Sequence, residues 1–224
     1  MAVTLNGQPE PIGDRASTDG EIKPPRNWTK ALVAKSMRNG RVVAVKDFSR
    51  CNALIKILYG RPTLRREARA YDLLHDVPGI PECFGLKGRD SLVIEYIEGR
   101  LLSSFKRGHV GPEVFDRVDE IVKRVHARGV ALVDLHRSNI IITAQGDVFL
   151  IDFAFALFAR DSRQPGMIMR FFMALDCFAV ARMHARYLRL PKPAPTGLFG
   201  VLYRFGRGLK TTSGRIKKLF GTGA

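Results

Sequence analysis

The stretch "VDLHRSNIIIT", residues 133–143, decides the fold, and "VFLIDFAFAL", residues 148–157, follows it closely. The first stretch places Asp134 and Asn139 five positions apart, just before an apolar run. The second stretch ends its own apolar run on another carboxylate, Asp152. A carboxylate at the end of a buried strand loses hydration, and a cation, a metal or hydrogen-bond donors must offset that loss. The two stretches therefore indicate one shared polar site.

The composition limits the classes of protein to which the chain can belong. With 224 residues, 46% of them hydrophobic, it is long enough for one medium domain or two small lobes with a real core. Thirty-seven basic and 21 acidic residues give a formal net charge of +16. This charge favours an anionic partner, such as nucleic acid, a phospholipid surface or a phosphorylated substrate. Three widely separated cysteines predict neither a zinc site nor a disulfide framework, and a reducing compartment is the default.

Neither a secretory signal nor a membrane-spanning helix is expected in this sequence. Residues 1–26 are polar and contain no apolar run. The most apolar long stretch, residues 167–183, is interrupted by Arg170, Asp176 and Arg182. A spanning helix needs about 20 predominantly apolar residues, so this stretch predicts an amphipathic helix of a soluble domain.

The hydrophobic pattern predicts strands with one helix first, and mostly helices with a small hairpin later. Two β-prone runs meet at Asn39-Gly40, a strong hairpin signal because both residues tolerate positive φ. Apolar residues at helical spacing mark the two predicted helices. The expected elements are strands at 28–37 and 41–48, a helix at 62–76, a strand at 91–99, a helix at 111–129, and strands at 139–143 and 148–153. This order predicts a two-lobed α+β fold with a small β-rich N-lobe and a reduced, mainly helical C-lobe.

Five polar residues on these elements are the parts that phosphoryl transfer needs. Lys46 ends a β-run and Glu67 lies 21 residues later on a helix, and such a pair neutralises nucleotide phosphates. Asn139 and Asp152 offer oxygen ligands to Mg²⁺. Asp134 is placed to take the proton of an acceptor hydroxyl. The order and the spacing of the five residues together favour a kinase-type site.

In type and order these residues resemble the protein-kinase-like superfamily. "VAVK" at 43–46 is similar to its strand-lysine motif, "VDLHRSN" at 133–139 to its catalytic loop, and "IDFA" at 151–154 to its metal-binding motif. The resemblance covers roughly residues 28–180. It implies a protein-kinase-like fold with ATP and Mg²⁺ as cofactors.

The resemblance also implies a role for each site residue. Only the resemblance identifies the backbone from Glu95 to Ile97 as the segment that hydrogen-bonds the adenine. The implied set is Lys46, Glu67, Glu95 and Ile97 for the nucleotide, Asn139 and Asp152 for Mg²⁺, and Asp134 as the catalytic base.

Four departures make the chain look more like compact relatives than like a eukaryotic-type protein kinase. These relatives are RIO-type kinases, the small kinases of tRNA-modification complexes, and lipopolysaccharide sugar kinases. No glycine lies between Gly20 and Gly40, so the Gly-rich loop that covers ATP phosphates is missing. Leu132 takes the place of the usual catalytic-loop His, and Ala154 replaces the Gly of Asp-Phe-Gly. No activation segment with an Ala-Pro-Glu ending follows Asp152, so the acceptor platform is expected to be small or built differently.

Three other polar residues remain open to interpretation. His126 is expected to be a structural, hydrogen-bonded residue at a helix end rather than a base. His136 lies between Asp134 and Asn139 and could steady the loop. Asp176, the one acid in a Phe- and Met-rich helix, is either a solvated charge or, as the resemblance implies, an inward carboxylate that holds the catalytic-loop backbone.

The chain is expected to divide into four parts: a mobile N-terminal segment at 1–26, an N-lobe at 27–96, a C-lobe at 97–190 and a basic amphipathic tail at 191–224. From Cys177 to Ala224 there are ten Lys or Arg residues and no acid. Apolar residues recur near helical spacing in the tail, which suits an anionic membrane surface. RNA is the less favoured anion, because aromatic residues for base stacking are sparse there. The alternative is a tail helix that packs on the core and exposes an ordinary basic face.

The sequence therefore favours an ATP- and Mg²⁺-dependent phosphotransferase, whose acceptor is a lipopolysaccharide-type, lipid-linked sugar or a protein Ser/Thr hydroxyl. The alternative is a pseudokinase, a catalytically weak nucleotide-binding scaffold on a membrane or RNA. Because all five residues of the site are retained, the enzyme is favoured. The expected location is cytoplasmic and peripheral, on the inner face of a membrane.

Overall fold

The computed structural model describes residues 31–196 together with Gly200. The predicted segment at 1–26 and most of the predicted tail lie outside the described residues. In chain order, the elements are β1 (Leu32–Arg38), β2 (Arg41–Asp47), α1 (Ala53–Ile55), a π-helical turn (Lys56–Gly60), α2 (Arg61–Leu73), β3 (Cys83–Lys87), β4 (Ser91–Glu95), β5 (Arg100–Leu101), a 3₁₀ turn (Leu102–Ser104), α3 (Pro112–Ala127), β6 (Val130–Ala131), β7 (Ile140–Ile142), β8 (Val148–Leu150), β9 (Leu157–Phe158) and α4 (Met167–Tyr187).

The N-lobe sheet puts Lys46 in an inner strand. Its strands run antiparallel in the order β1-β2-β4-β3. The β1–β2 turn falls at Asn39 and Gly40, with φ of 48° and 76°, as the Asn-Gly pair predicts. Lys46 in β2 lies opposite Val33 of β1 and Leu92 of β4. The sequence did not predict β3, whose short apolar run is interrupted by a glycine.

The helix that carries Glu67 begins earlier than the predicted start at residue 62. The Asn52 side chain accepts a hydrogen bond from the Leu54 N–H at 2.7 Å and so caps α1. The π-helical turn then leads directly into α2. A Cβ on Gly60 would lie 2.9 Å from the Phe48 ring, so a glycine lets the helix approach β2 closely. Pro62 suits a first turn, and for this reason the sequence pattern placed the start there.

In the C-lobe, α3 buries the stripe that its sequence predicts. Val118, Val122 and Val125 are fully buried against the two small sheets and α4. Those sheets have the orders β5-β7-β8 and β6-β9. Within the described residues, each helix is too short or too polar to cross a membrane.

A glycine lies at one of the contacts between the segment that follows α2 and the C-lobe. Gly79 follows α2, has a φ of +88°, and accepts a hydrogen bond from the Leu150 N–H at 2.8 Å. A Cβ at this position would clash with Ile121 of α3. The close approach sets the position of α2 relative to β8, which leads to Asp152.

Candidate active site

The structure brings Lys46, Glu67 and Asp152 together. Lys46 Nζ lies 2.7 Å from Glu67 Oε2 and 2.9 Å from Asp152 Oδ1. Glu67 is 1% exposed, and a buried carboxylate needs such a partner. Burial alone would lower the pKa of Lys46, but the two carboxylates outweigh burial, and the pKa lies above its ordinary value. The ammonium therefore keeps the charge that a phosphate group requires.

Asp134 and Asn139 stand at the two ends of the predicted catalytic loop. The buried Asn139 side chain donates from Nδ2 to the Asp134 carbonyl oxygen at 3.2 Å, which closes the loop. Its amide oxygen is left to bind a cation. The Ile151 N–H donates to the Asn139 carbonyl oxygen at 2.9 Å. Asn139 is therefore paired with Ile151, the neighbour of Asp152, as expected if Asn139 and Asp152 belong to one site.

Asp176 on α4 holds the backbone of this loop. Its carboxylate accepts hydrogen bonds from the N–H groups of Leu132 at 2.7 Å and Val133 at 2.8 Å. Val133 has a φ of +67°, which is unfavourable for a β-branched residue, so the loop needs such support. Asp176 is 1% exposed, and of its two interpretations the solvated charge is wrong.

His126 is the third partner of Asp176. Its Nε2 lies 3.1 Å from Asp176 Oδ2. Burial lowers the pKa of His126, but the hydrogen bond to Asp176, with a further contribution from Cys177, outweighs burial and raises the pKa to about 9. An imidazolium bound to a carboxylate cannot act as a base at neutral pH. This geometry agrees with the structural role that the sequence favours.

Asp152 lies in a strained turn rather than at the end of a strand. The predicted strand extends to residue 153, but β8 ends at Leu150. Asp152 has a φ of +67°, which is outside the range of a β-strand. The next residue, Phe153, packs edge to face on the Tyr71 ring, with centroids 4.8 Å apart. Tyr71 lies on α2, one helical turn after Glu67. Tyr71 is one of the apolar residues at helical spacing in α2, and nothing local in the sequence indicates its contact with Phe153.

Comparison with known proteins starts from relatives in sequence. No family model matches the chain. CBL-interacting protein kinase 16 of Oryza sativa subsp. japonica is 28% identical over 149 residues, which cover 63% of this chain and 32% of that kinase. The chain therefore spans about a third of the length of this relative.

Solved structures give a second comparison. The Rio2 kinase from Chaetomium thermophilum matches with a TM-score of 0.58 and 12% identity, covering 76% of this chain and 58% of that chain. Its ADP/Mg²⁺-phosphoaspartate complex matches with a TM-score of 0.56 and 13% identity, covering 76% and 56%. The protein has a protein-kinase-like fold. The predicted α+β, two-lobed class is confirmed.

In this kinase-like fold, Asn139 and Asp152 fit a Mg²⁺ ion by their donor chemistry. Mg²⁺ prefers oxygen ligands and is usually held by one or two carboxylates together with substrate phosphates. Lys46 occupies only Oδ1 of Asp152 and leaves Oδ2 available. Among the residues that the structure describes, no three His, Cys, Asp or Glu side chains converge to hold a metal. Phosphate oxygens and water would therefore complete the coordination.

The predicted adenine segment begins where β4 ends. Glu95 ends β4 opposite Val43, and Ile97 follows it in the segment between the lobes. The Glu95 N–H donates to the Glu82 carbonyl oxygen at 2.7 Å. Among the backbone hydrogen bonds of the described residues outside helices and strands, none uses the N–H of Ile97.

Apolar side chains of the β1–β2 hairpin share the face that carries Lys46. In the strand register, Val33 lies opposite Lys46, and Met37 lies opposite Val42 on the same face. All three apolar residues are exposed. The sequence alone does not indicate them, because only the strand register shows that they share a face with Lys46.

Proposed function

We propose that this protein is an ATP- and Mg²⁺-dependent phosphotransferase in which Asp134 is the catalytic base. The observation that carries the proposal is the convergence of Glu67 and Asp152 on Lys46 at 2.7 and 2.9 Å, next to the loop that holds Asp134 and Asn139. The solved Rio2 complex with ADP and Mg²⁺ supports the choice of cofactors.

Each residue has a role in the proposed reaction. Lys46 neutralises the nucleotide phosphates, while Asn139 and Asp152 bind Mg²⁺. The Asp134 side chain is exposed, and no ion pair or hydrogen bond occupies its carboxylate in the described part of the chain. It takes the proton of an acceptor hydroxyl as that oxygen bonds to the γ-phosphorus and ADP leaves.

The acceptor is proposed to be a protein Ser/Thr hydroxyl or a lipopolysaccharide-type, lipid-linked sugar. Similarity to a plant protein kinase supports the protein acceptor. The sugar rests on the resemblance to lipopolysaccharide sugar kinases and on a tail that suits an anionic membrane. A cytoplasmic location on the inner face of that membrane belongs to the same proposal.

The alternative, a pseudokinase that binds nucleotide without turnover, is favoured by one observation. The sequence lacks glycine between Gly20 and Gly40, where a loop would otherwise cover the phosphates. Such a scaffold would bind Mg-ATP at the same Lys46 site and transfer nothing.

One experiment tests these functions together. The full chain is incubated with γ-labelled ATP and Mg²⁺, with a generic Ser/Thr protein substrate or a lipid-sugar extract, and the labelled species is identified. We expect label in one acceptor, and loss of that label in the matched variant Asp134→Asn. Nucleotide binding without any labelled product would establish the pseudokinase instead.

A further inference from the structure

The helical run that leads to Glu67 begins with apolar side chains that face solvent. Leu54, Ile57 and Leu58 are 64%, 55% and 69% exposed, and they lie in α1 and the π-helical turn. Their spacing of three and four residues puts them on one face. Tyr59 is 40% exposed at the edge of this face, with its ring 6.0 Å from that of Phe48. Leu54, Ile57, Leu58 and Tyr59 together are called the Leu54 patch.

The nucleotide site does not account for this patch. The exposed apolar residues of the β1–β2 hairpin share a face with Lys46, where the proposed nucleotide would contact them. The Leu54 patch lies on a different element. A single exposed leucine is ordinary on a protein surface. Several adjacent ones, bordered by polar groups, mark a binding surface. The π-helical turn adds a further sign, because such turns occur frequently at functional sites.

The segment that carries the patch is strongly cationic. Between Phe48 and Arg66 the sequence contains no Asp or Glu, and it contains five cations, Arg50, Lys56, Arg61, Arg65 and Arg66. Arg61 pairs with Asp90 at 2.8 Å. Within residues 31–196, no carboxylate forms an ion pair with the other four cations. The acid that follows, Glu67, is buried and bound to Lys46. The surface around the patch therefore carries a net positive charge.

We propose that the Leu54 patch docks on an anionic lipid surface. Its aliphatic side chains enter the region between headgroups and acyl chains, and the surrounding cations bind the headgroup phosphates. An apolar helical face bordered by Lys and Arg is the arrangement that binds this interface. Each cation near an anionic leaflet strengthens binding about fivefold at low salt.

The shape of the patch favours lipid over a folded protein. Its three aliphatic side chains are each more than half exposed, so they project from the helix instead of lining a groove. A fluid bilayer accepts projecting side chains, whereas a protein partner would have to supply a matching groove. This surface lies in the N-lobe and is independent both of phosphotransfer and of the predicted basic tail.

A fluorescent probe in the full chain tests insertion directly. The sequence has a single tryptophan, so Trp28→Phe supplies a silent background for Leu58→Trp. The matched control is Leu86→Trp in the same background, because Leu86 is 42% exposed on β3. With phosphatidylcholine vesicles that contain phosphatidylserine and brominated acyl chains, the probe at 58 should shift to shorter wavelengths and be quenched, and the probe at 86 should not. An unchanged probe at 58 on vesicle-bound protein would overturn the proposal.

A partition measurement provides a second test. The triple variant Leu54→Ser, Ile57→Ser and Leu58→Ser removes the apolar contact, and Leu73→Ser with Leu86→Ser serves as the matched control. We expect the triple variant to bind phosphatidylserine vesicles at least about tenfold more weakly than the control. Equal binding would overturn the proposal and leave the patch to a protein partner. Neither readout depends on turnover, so failure here is distinguishable from failure of the proposed phosphotransferase.

Discussion

At the scale of single residues, Lys46 and Glu67 depend on each other. Glu67 is almost completely buried, and Lys46 Nζ is its side-chain partner at 2.7 Å. Removing one member of a buried pair leaves an uncompensated group, which costs more than the pair itself contributes. The ion pair proposed to act on the nucleotide phosphates therefore also stabilises the position of α2 against β2.

Lys46→Ala should abolish most phosphotransfer, because Lys46 Nζ is the cation that contacts both Glu67 and Asp152. It should also lower the free energy of unfolding by about 3 kcal/mol, since Glu67 loses its partner. Turnover with labelled ATP and urea denaturation measure the two effects. Lys87→Ala, an exposed lysine of β3, is the control. Undiminished activity of Lys46→Ala would remove Lys46 from the mechanism.

Variants of Asp134 and Asp152 should differ in which step they impair, nucleotide binding or turnover. Asp152→Ala should lose Mg²⁺-dependent nucleotide binding together with turnover, because Asp152 is the proposed carboxylate ligand of Mg²⁺. Asp134→Asn should keep nucleotide affinity and lower turnover, as expected for a group that acts on the acceptor proton. Titration with a fluorescent ATP analogue, with and without Mg²⁺, distinguishes the two. Normal binding and turnover in both variants would refute the kinase interpretation.

Tyr71 offers a test of the packing beneath Asp152. Its hydroxyl is fully buried and has no hydrogen-bond partner among the described residues, while its ring packs on Phe153. Tyr71→Phe keeps the ring and removes an unsatisfied group, so it should raise the free energy of unfolding by about 1 kcal/mol. Tyr71→Ala should lower it by about 3 kcal/mol or more. A loss of stability in Tyr71→Phe would instead show that the hydroxyl bonds the nearby Asp152 backbone.

At the scale of elements, α3 and α4 jointly support the catalytic loop. His126 of α3 and the N–H groups of Leu132 and Val133 meet the same Asp176 carboxylate of α4. The loop conformation, with its positive φ at Val133, depends on how these two helices pack. Loss of the His126 charge should therefore weaken the C-lobe as a unit.

The His126 contact predicts a pH dependence of stability. The folded pKa of about 9 lies above the ordinary value of 6.5, so the stabilisation is fully present below pH 6.5 and is lost as the pH rises through 9. The size of the effect is on the order of 3 kcal/mol. Urea denaturation from pH 6 to pH 10 should show the decline in the wild-type chain and a smaller one in His126→Gln.

His109→Gln, a change at an exposed histidine, is the matched control for that series and should behave like the wild type. Identical profiles for His126→Gln and the wild type would contradict the assigned contact.

At the scale of the whole molecule, the main property is the positive net charge, which is spread over many elements of the chain. The net charge of +16 includes ten cations between Cys177 and Ala224 without a compensating acid. Residues 201–224 lie outside the described part, so their interaction with lipid remains a prediction from sequence. Attraction of this kind weakens with salt, because exposed charges are screened within about 10 Å at 0.1 M ionic strength.

The predicted tail contact has its own test. The full chain should sediment with anionic liposomes at low salt, and a version that ends at Pro191 should sediment much less. The difference should shrink as salt is added. Equal sedimentation of the two versions, or none with either, would favour a tail that packs on the core.

From the sequence alone, most of the longer strands and helices could be predicted in their chain order, together with the buried stripe of α3 and a candidate set of five polar site residues. These features are local: the period of apolar residues, the Asn-Gly turn and short motifs are each read within a few positions. The structure places Lys46, Glu67 and Asp152 in one cluster, as that order predicts.

The contacts that hold the site in place could be seen only in the folded chain. Asp176 accepts a hydrogen bond from the Leu132 N–H, 44 positions away, and the Tyr71 ring packs on Phe153. Nothing in the local sequence around these residues indicates either contact. The early start of the helix at α1 also depends on packing, since Gly60 must approach Phe48. Local patterns specify elements, whereas the contacts between elements depend on how side chains fill the space between them.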